Sequence, residues 1–350
     1  MTSSSPIRRG IGFAILAALL FGVTVPFLKL AGGGTGTWAS ASLLYLGAAV
    51  GAGLVLAIRR RAPEMALTRG RDGLRLLAVA VLGAVCAPAL LILGVKRTDA
   101  ATTSLLLTLE MPFTLVLARL FFREHLGRRA TVAAMFVAAG SVLLSGMPSG
   151  SGTGLGGVAF VAAATLAWSL DNIISRTLAD HDPIAVVALK GLIGGGISAA
   201  VAAATGQSFP DVSVGAAIFA IGAVGFGLSL QFYLRAQTLV GAARTASVFA
   251  AAPFVGGAIS LALGSPWPGW HFLVAAALLV AGVTLHISER HRHHHTHEPL
   301  VHEHMHTHDD QHHGHTHDPL PSGPHSHRHE HPALSHEHEH SDDIHHRHRH

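Results

Sequence analysis

Long apolar runs recur along the chain with few charged interruptions, at about 10–31, 37–58, 73–95, 99–121, 129–146, 155–178, 183–204, 213–235, 242–263 and 268–288. Each approaches or reaches the roughly 20 residues that carry a helix across a bilayer. Most are apolar all round, whereas helices of a soluble protein keep one charged face. The pattern predicts an all-α integral membrane protein with ten transmembrane helices. Beyond residue 288 the apolar positions cease, and "HHHTHEPLVHEHMHTHDDQHHGHTHDPL" (His293–Leu320) places histidine at nearly every second position.

Composition sharpens this picture. Hydrophobic residues make up 49% of the 350 and charged residues 13%, so the charge that exists is informative by position. With a cytoplasmic N-terminus, the inside loops hold Arg8, Arg9, Arg59, Arg60, Arg61, Arg69, Arg71, Arg123, Arg128, Arg129 and Arg290. Lys96 and Arg97 then stand almost alone outside. Loops rich in Lys and Arg stay in the cytoplasm, so both termini are expected there, at the cell (inner) membrane. The opening "MTSSSPIRRG" is read as leading into a retained first helix, because that run contains Pro26 and Lys29 and no clear cleavage site.

An internal repeat organises the ten spans. Superposing "LLFGVTVPFLKLA" (Leu19–Ala31) on "LAWSLDNIISRTL" (Leu166–Leu178) matches Phe21 with Trp168 and Lys29 with Arg176. Superposing Leu91–Phe113 on Phe232–Phe254 matches Pro112 with Pro253 and Phe113 with Phe254. The expected organisation is an N-terminal segment 1–9, a five-helix repeat 10–146, a Gly/Ser linker 147–154, a second five-helix repeat 155–288 and a tail 289–350. Five helices per half turn the second half upside down, the inverted-repeat plan of many secondary transporters.

The stretch "GVKRTDAATTSLLLTLEMPFTLVLARLFFREHLGRRATVAAMFVAAGSVLLSG" (Gly94–Gly146), with Glu110, Pro112, Glu124 and Gly140, resembles the drug/metabolite transporter superfamily in its ten-helix EamA form. The resemblance covers about residues 10–288. It implies export of small organic solutes by alternating access through a cavity lined by helices 1, 3, 4, 6, 8 and 9, without ATP hydrolysis; the chain has no phosphate-binding "GxxxxGK[ST]". The second half departs from the pattern, with Ala251 and Ser265 where Glu110 and Glu124 would recur.

Ionisable side chains deep in a membrane are functional candidates by default. Glu110 lies mid-span, two residues before the kink candidate Pro112, and reads either as a proton-exchanging carboxylate or as a structural one. Asp171 and Asn172 lie mid-span in helix 6 beside Trp168, which shares a face with Asp171 at three residues' separation. Lys190 has two readings, an inward partner for Asp171 or Glu110 and a snorkelling ammonium, the second favoured. Gln231 and Tyr233, two apart in helix 8, face different ways. Lys29 and Arg176 read as interfacial anchors, Trp38, Trp267 and Trp270 as an aromatic belt, and Pro26, Pro88 and Pro253 as kinks.

Four of 28 histidines (His125, His181, His271 and His286) lie in the body, leaving 24 in the tail. None of the four forms a helical ligand pair, so a metal path through the body is not supported. The tail candidates are His293, His295, His297, His302, His304, His306, His308, His312, His313, His315 and His317. Imidazoles among carboxylates suit zinc, nickel, cobalt or copper, and the near absence of apolar residues predicts a disordered segment. No cofactor is required. The expected partners are the bilayer, a small-molecule solute and divalent metal on the tail, with no nucleic acid. A metal-linked exporter or a membrane metal sensor is the alternative to a metabolite or drug exporter.

Overall fold

The computed structural model describes residues 6–32, 34–59, 65–122, 127–145, 155–178, 181–240, 242–267, 269–287, 292–297, 300–306, 325–331 and 334–339. They fall into two units, Met1–Ser288 and Glu289–His350.

The first unit is helical throughout, and each predicted span corresponds to one helix or one interrupted helix. α1 comprises Pro6–Gly22 and Thr24–Gly32, and α2 is Thr37–Ile58. α3 runs as Gly70–Ala80, a π-helical segment Val81–Cys86, and Ala87–Arg97. α4 joins Ala100–Leu106 to Glu110–Phe122 through a 3-10 turn, Leu107–Leu109. α5 is Arg128–Ser145, α6 is Leu155–Ser175 and α7 is Pro183–Ala204. α8 runs as Val212–Gly222, a second π segment Ala223–Leu228, and Ser229–Val240. α9 comprises Ala242–Phe249 and Ala252–Ala262, and α10 is Trp270–Ile287. Seven of these, α1 to α4 and α6 to α8, are long and apolar enough to cross a membrane by length and composition.

The interruptions have causes. Proline lacks the N–H that would reach back four residues and its ring crowds that carbonyl. The breaks accordingly lie just before Pro26 in α1, Pro88 in α3, Pro112 in α4 and Pro253 in α9. α8 carries its π segment without a proline. There Gly222, Gly225 and Gly227 bring the backbone hard against its neighbours. A Cβ on Gly222 would stand 1.8 Å from the Leu44 carbonyl oxygen of α2, and one on Gly227 would stand 3.0 Å from that of Ala48.

Small residues permit this density where no hydrophobic effect drives helices together. α7 lies along α2 with Gly191 against the Tyr45 backbone and Gly195 against Leu46, and α5 meets α10 with Gly140 against Leu279. Packing partners include α1 with α8, α3 with α6, α2 with α7, α4 with α9 and α5 with α10. Exchanging the first five helices for the second five returns the same set of pairs.

In the tail unit the described backbone lies in two antiparallel pairs of extended segments. β1 (Arg292–His297) pairs with β4 (Leu334–Glu339), and β2 (Leu300–His306) pairs with β3 (His325–His331). Histidine at every second position fits the two-residue period of the pleat.

Candidate functional site

Two polar pairs sit where α4, α6 and α7 meet. Asp171 and Asn172 are neighbours on α6, so their side chains diverge by about 100° around the helix and reach different partners. Asn172 Nδ2 donates to Glu110 Oε1 of α4 at 2.6 Å. Ser169 Oγ donates to the Glu110 backbone oxygen at 3.1 Å, closing the same helix contact one turn away. Asp171, 3% exposed, instead pairs through Oδ2 with the Lys190 ammonium of α7.

That ion pair corrects the reading of Lys190 as a snorkelling residue. A carboxylate buried without a partner is strongly destabilising, and Lys190 is the cation within its reach. Ser175 Oγ adds a 3.3 Å bond to Asp171 Oδ1.

The π segment of α3 passes directly beneath the pair. A Cβ on Gly83 would lie 2.1 Å from Asp171 Oδ2 and 2.6 Å from Lys190 Nζ, so glycine alone admits the ion pair here. The shifted π hydrogen bonding also gives the Gly83 carbonyl external donors. Tyr45 OH donates to it at 2.5 Å and Trp168 Nε1 at 3.1 Å, with Trp168 Nε1 also 3.2 Å from Tyr45 OH. Phe226, from the π segment of α8, adjoins Tyr45 (5.5 Å between ring centroids), Trp168 (6.2 Å) and Phe21 of α1 (5.6 Å). The cluster therefore joins α1, α2, α3, α4, α6, α7 and α8.

Other candidates lie elsewhere. Gln231, 3% exposed, has its amide turned so that Oε1 accepts from Arg59 Nη2 at 2.5 Å and from Arg235 Nε at 3.1 Å, tying α8 to the end of α2. Tyr233 meets Phe249 of α9 edge-on at 5.0 Å. The two face different ways, as their spacing requires. Pro112 is the third residue of the second part of α4, where a missing N–H costs no helical bond.

Lys29, expected as an interfacial anchor, reaches into the protein: its ammonium donates to the backbone oxygens of Val95 and, at 2.8 Å, Thr98. Lys96 donates to the Thr35 carbonyl. The side chains of Arg176 and Arg244, and Glu124, lie outside the described residues. Trp267 and Trp270 are 59% and 65% exposed.

Sequence reasoning missed Tyr45, Gly83 and Phe226. Tyr45 had a signal, being one of two tyrosines in the chain and set in an apolar helix. Gly83 had none, since many glycines share its surroundings.

Among the described residues no group of three or more His, Cys, Asp or Glu side chains could hold a metal ion. Of the tail candidates, His293, His295, His297, His302, His304 and His306 lie on strands described by their backbone. His308, His312, His313, His315 and His317 lie outside the described residues. The register sets His293 opposite His338, His295 opposite His336, His302 opposite His329, His304 opposite His327 and His306 opposite His325.

A helical bundle with apolar spans and a buried, partly charged centre is a multi-pass membrane protein. The chain belongs to the EamA-like transporter family, whose model matches residues 8–146 and again 155–288. It is 34% identical over 146 residues to an uncharacterized transporter of Methanothermobacter thermautotrophicus. That match covers 40% of this chain and 42% of the relative, so the chain spans less than half of that protein's length. A crystal structure of a protein with 21% sequence identity shares the fold at a TM-score of 0.54, covering 79% of this chain and 95% of that one.

Proposed function

We propose that the protein is a secondary active transporter of two inverted five-helix repeats, exporting a small metabolite or drug-like solute by alternating access, with both termini in the cytoplasm. Glu110 is the proton-exchanging group. The observation that carries this is the bond from Asn172 to Glu110. It places a carboxylate with a neutral donor at the edge of the cluster, while the Lys190 charge is taken by Asp171. A carboxylate so placed can gain and lose a proton as access alternates, at less cost than breaking an ion pair. The symmetric helix pairing and the two π segments, Val81–Cys86 and Ala223–Leu228, support the repeat. An odd number of helices per half supports its inversion.

The test is a panel of organic solutes and divalent metals, assayed in vesicles with the full chain and with a chain lacking residues 291–350. Proton-driven flux of an organic solute by both proteins is the expected result. Flux of metal alone, lost with the tail, would sink the reading.

The histidine-on-histidine register of the tail favours a second reading, metal-linked export or membrane metal sensing, in which the tail collects zinc, nickel, cobalt or copper. In the leading reading the same tail buffers metal or regulates the carrier.

A further inference from the structure

The superposition that matches Phe21 with Trp168 also sets Thr24 on Asp171. Gly83 and Gly225 are each the third residue of a six-residue π segment, one in α3 and the other in α8. The two halves therefore build the same contact twice. In one, Asp171 of α6 presses on Gly83 of α3; in the other, Thr24 of α1 presses on Gly225 of α8, where a Cβ would lie 2.3 Å from Thr24 Oγ1.

Their chemistry differs. Asp171 is held by Lys190 of α7. Thr24 is 2% exposed and its hydroxyl has no hydrogen-bond partner among the described residues. The helix corresponding to α7 is α2, and "TWASASLLYLGAAVGAGLVLAI" (Thr37–Ile58) contains no cation. Alongside Thr24, an open apolar groove runs between α1 and α8, lined by Leu20, Val23, Phe27, Ile221 and Val224. One contact is closed by charge, the other by shape alone.

We propose that the Asp171–Lys190 pair is a one-sided latch, holding α6 and α7 against the bulge of α3, which must be released in each transport cycle. The equivalent contact of Thr24 with Gly225 opens without breaking an ion pair. On the orientation proposed above, the latch lies in the cytoplasmic half of the bundle and the unlatched contact in the outer half. Lys190 and Gly83 are thus positioning residues. Lys190 supplies the closing charge, and Gly83 provides the space in which it closes. The resting carrier is biased toward the state in which the cytoplasmic contact is shut.

The chain carries its own reporter, because its one cysteine, Cys86, ends the same π segment and is half-buried. The experiment measures the rate at which a maleimide labels Cys86 in the full-length protein in vesicles, with no solute present. Lys190→Met and Gly83→Ala are expected to raise that rate several-fold, and Gly225→Ala to leave it near the native value. Should the single variants fail to fold, the charge-reversed double variant Asp171→Lys/Lys190→Asp is compared with the neutral double variant Asp171→Asn/Lys190→Met. Slow labelling of the reversed pair and fast labelling of the neutral pair support the latch. Equal rates in those two, or an equal response to Gly83→Ala and Gly225→Ala, overturn it. The assay needs no transported solute, so failure of the export reading in the flux panel is recorded separately.

Discussion

Asn172 Nδ2 lies 2.6 Å from Glu110 Oε1, joining α6 to α4 across 62 positions of sequence. The amide can serve the carboxyl in either protonation state, since its NH₂ donates to a carboxylate and its oxygen accepts from a carboxylic acid. Glu110→Gln keeps the size and one acceptor of the side chain but can no longer exchange a proton. The expected outcome is a folded protein whose solute flux no longer responds to an imposed proton gradient. Glu110→Asp, shorter by one methylene, should retain proton-driven flux at a reduced rate.

Removing one partner of a buried ion pair leaves the other charge uncompensated, at a cost of roughly 3–5 kcal/mol. Lys190→Met is therefore expected to lower thermal stability in detergent sharply, whereas Asp171→Asn/Lys190→Met should recover most of the loss. A unfolding series on the two variants checks this, and equal destabilisation would contradict the pair as drawn.

Tyr45→Phe deletes the hydroxyl that donates to the Gly83 oxygen, while Trp168 Nε1 keeps that acceptor. The expected cost is about 1 kcal/mol. Trp168→Phe costs more, because packing against Phe226 and Tyr45 goes with it. Because the two residues share one acceptor, their effects should be non-additive in a double-mutant cycle.

Methyl groups distinguish the glycines. Gly12 and Gly53 have open space where a Cβ would stand, so Gly12→Ala and Gly53→Ala should hold stability or raise it, by about 0.4–1 kcal/mol. Gly222→Ala, with the Leu44 carbonyl oxygen 1.8 Å from its new Cβ, should lose roughly 1–3 kcal/mol by overpacking or fail to fold. Thermal denaturation of the three variants separates these cases.

Much of this architecture was legible in the sequence, and the reason is physical. Bilayer thickness fixes helix length, so apolar runs alone located the ten helices to within a few residues. Proline located four of the interruptions, because a missing donor acts wherever it falls. The π segment of α8 was not legible, since it has no proline and follows from close contact of Gly222 and Gly227 with α2. The side of α6 that each polar residue serves was foreseeable from helical periodicity. Lys190 was not, because choosing between surface and partner requires knowing that Asp171 lies across from it.

Deleting residues 291–350 should abolish most zinc or nickel binding by the full chain, measured by calorimetry on purified protein, while organic-solute flux continues. The tail contains 24 of the 28 histidines, and the body has no metal-holding group among its described residues. Undiminished metal binding after deletion would relocate the site to the body.

Proton coupling through Glu110 is tested most directly by solute flux in vesicles under an imposed proton gradient, comparing the native chain with Glu110→Gln. The expected result is uptake that rises with the gradient in the native protein and is insensitive to it in the variant. An unchanged gradient dependence in Glu110→Gln would remove Glu110 from the coupling mechanism and contradict the central claim.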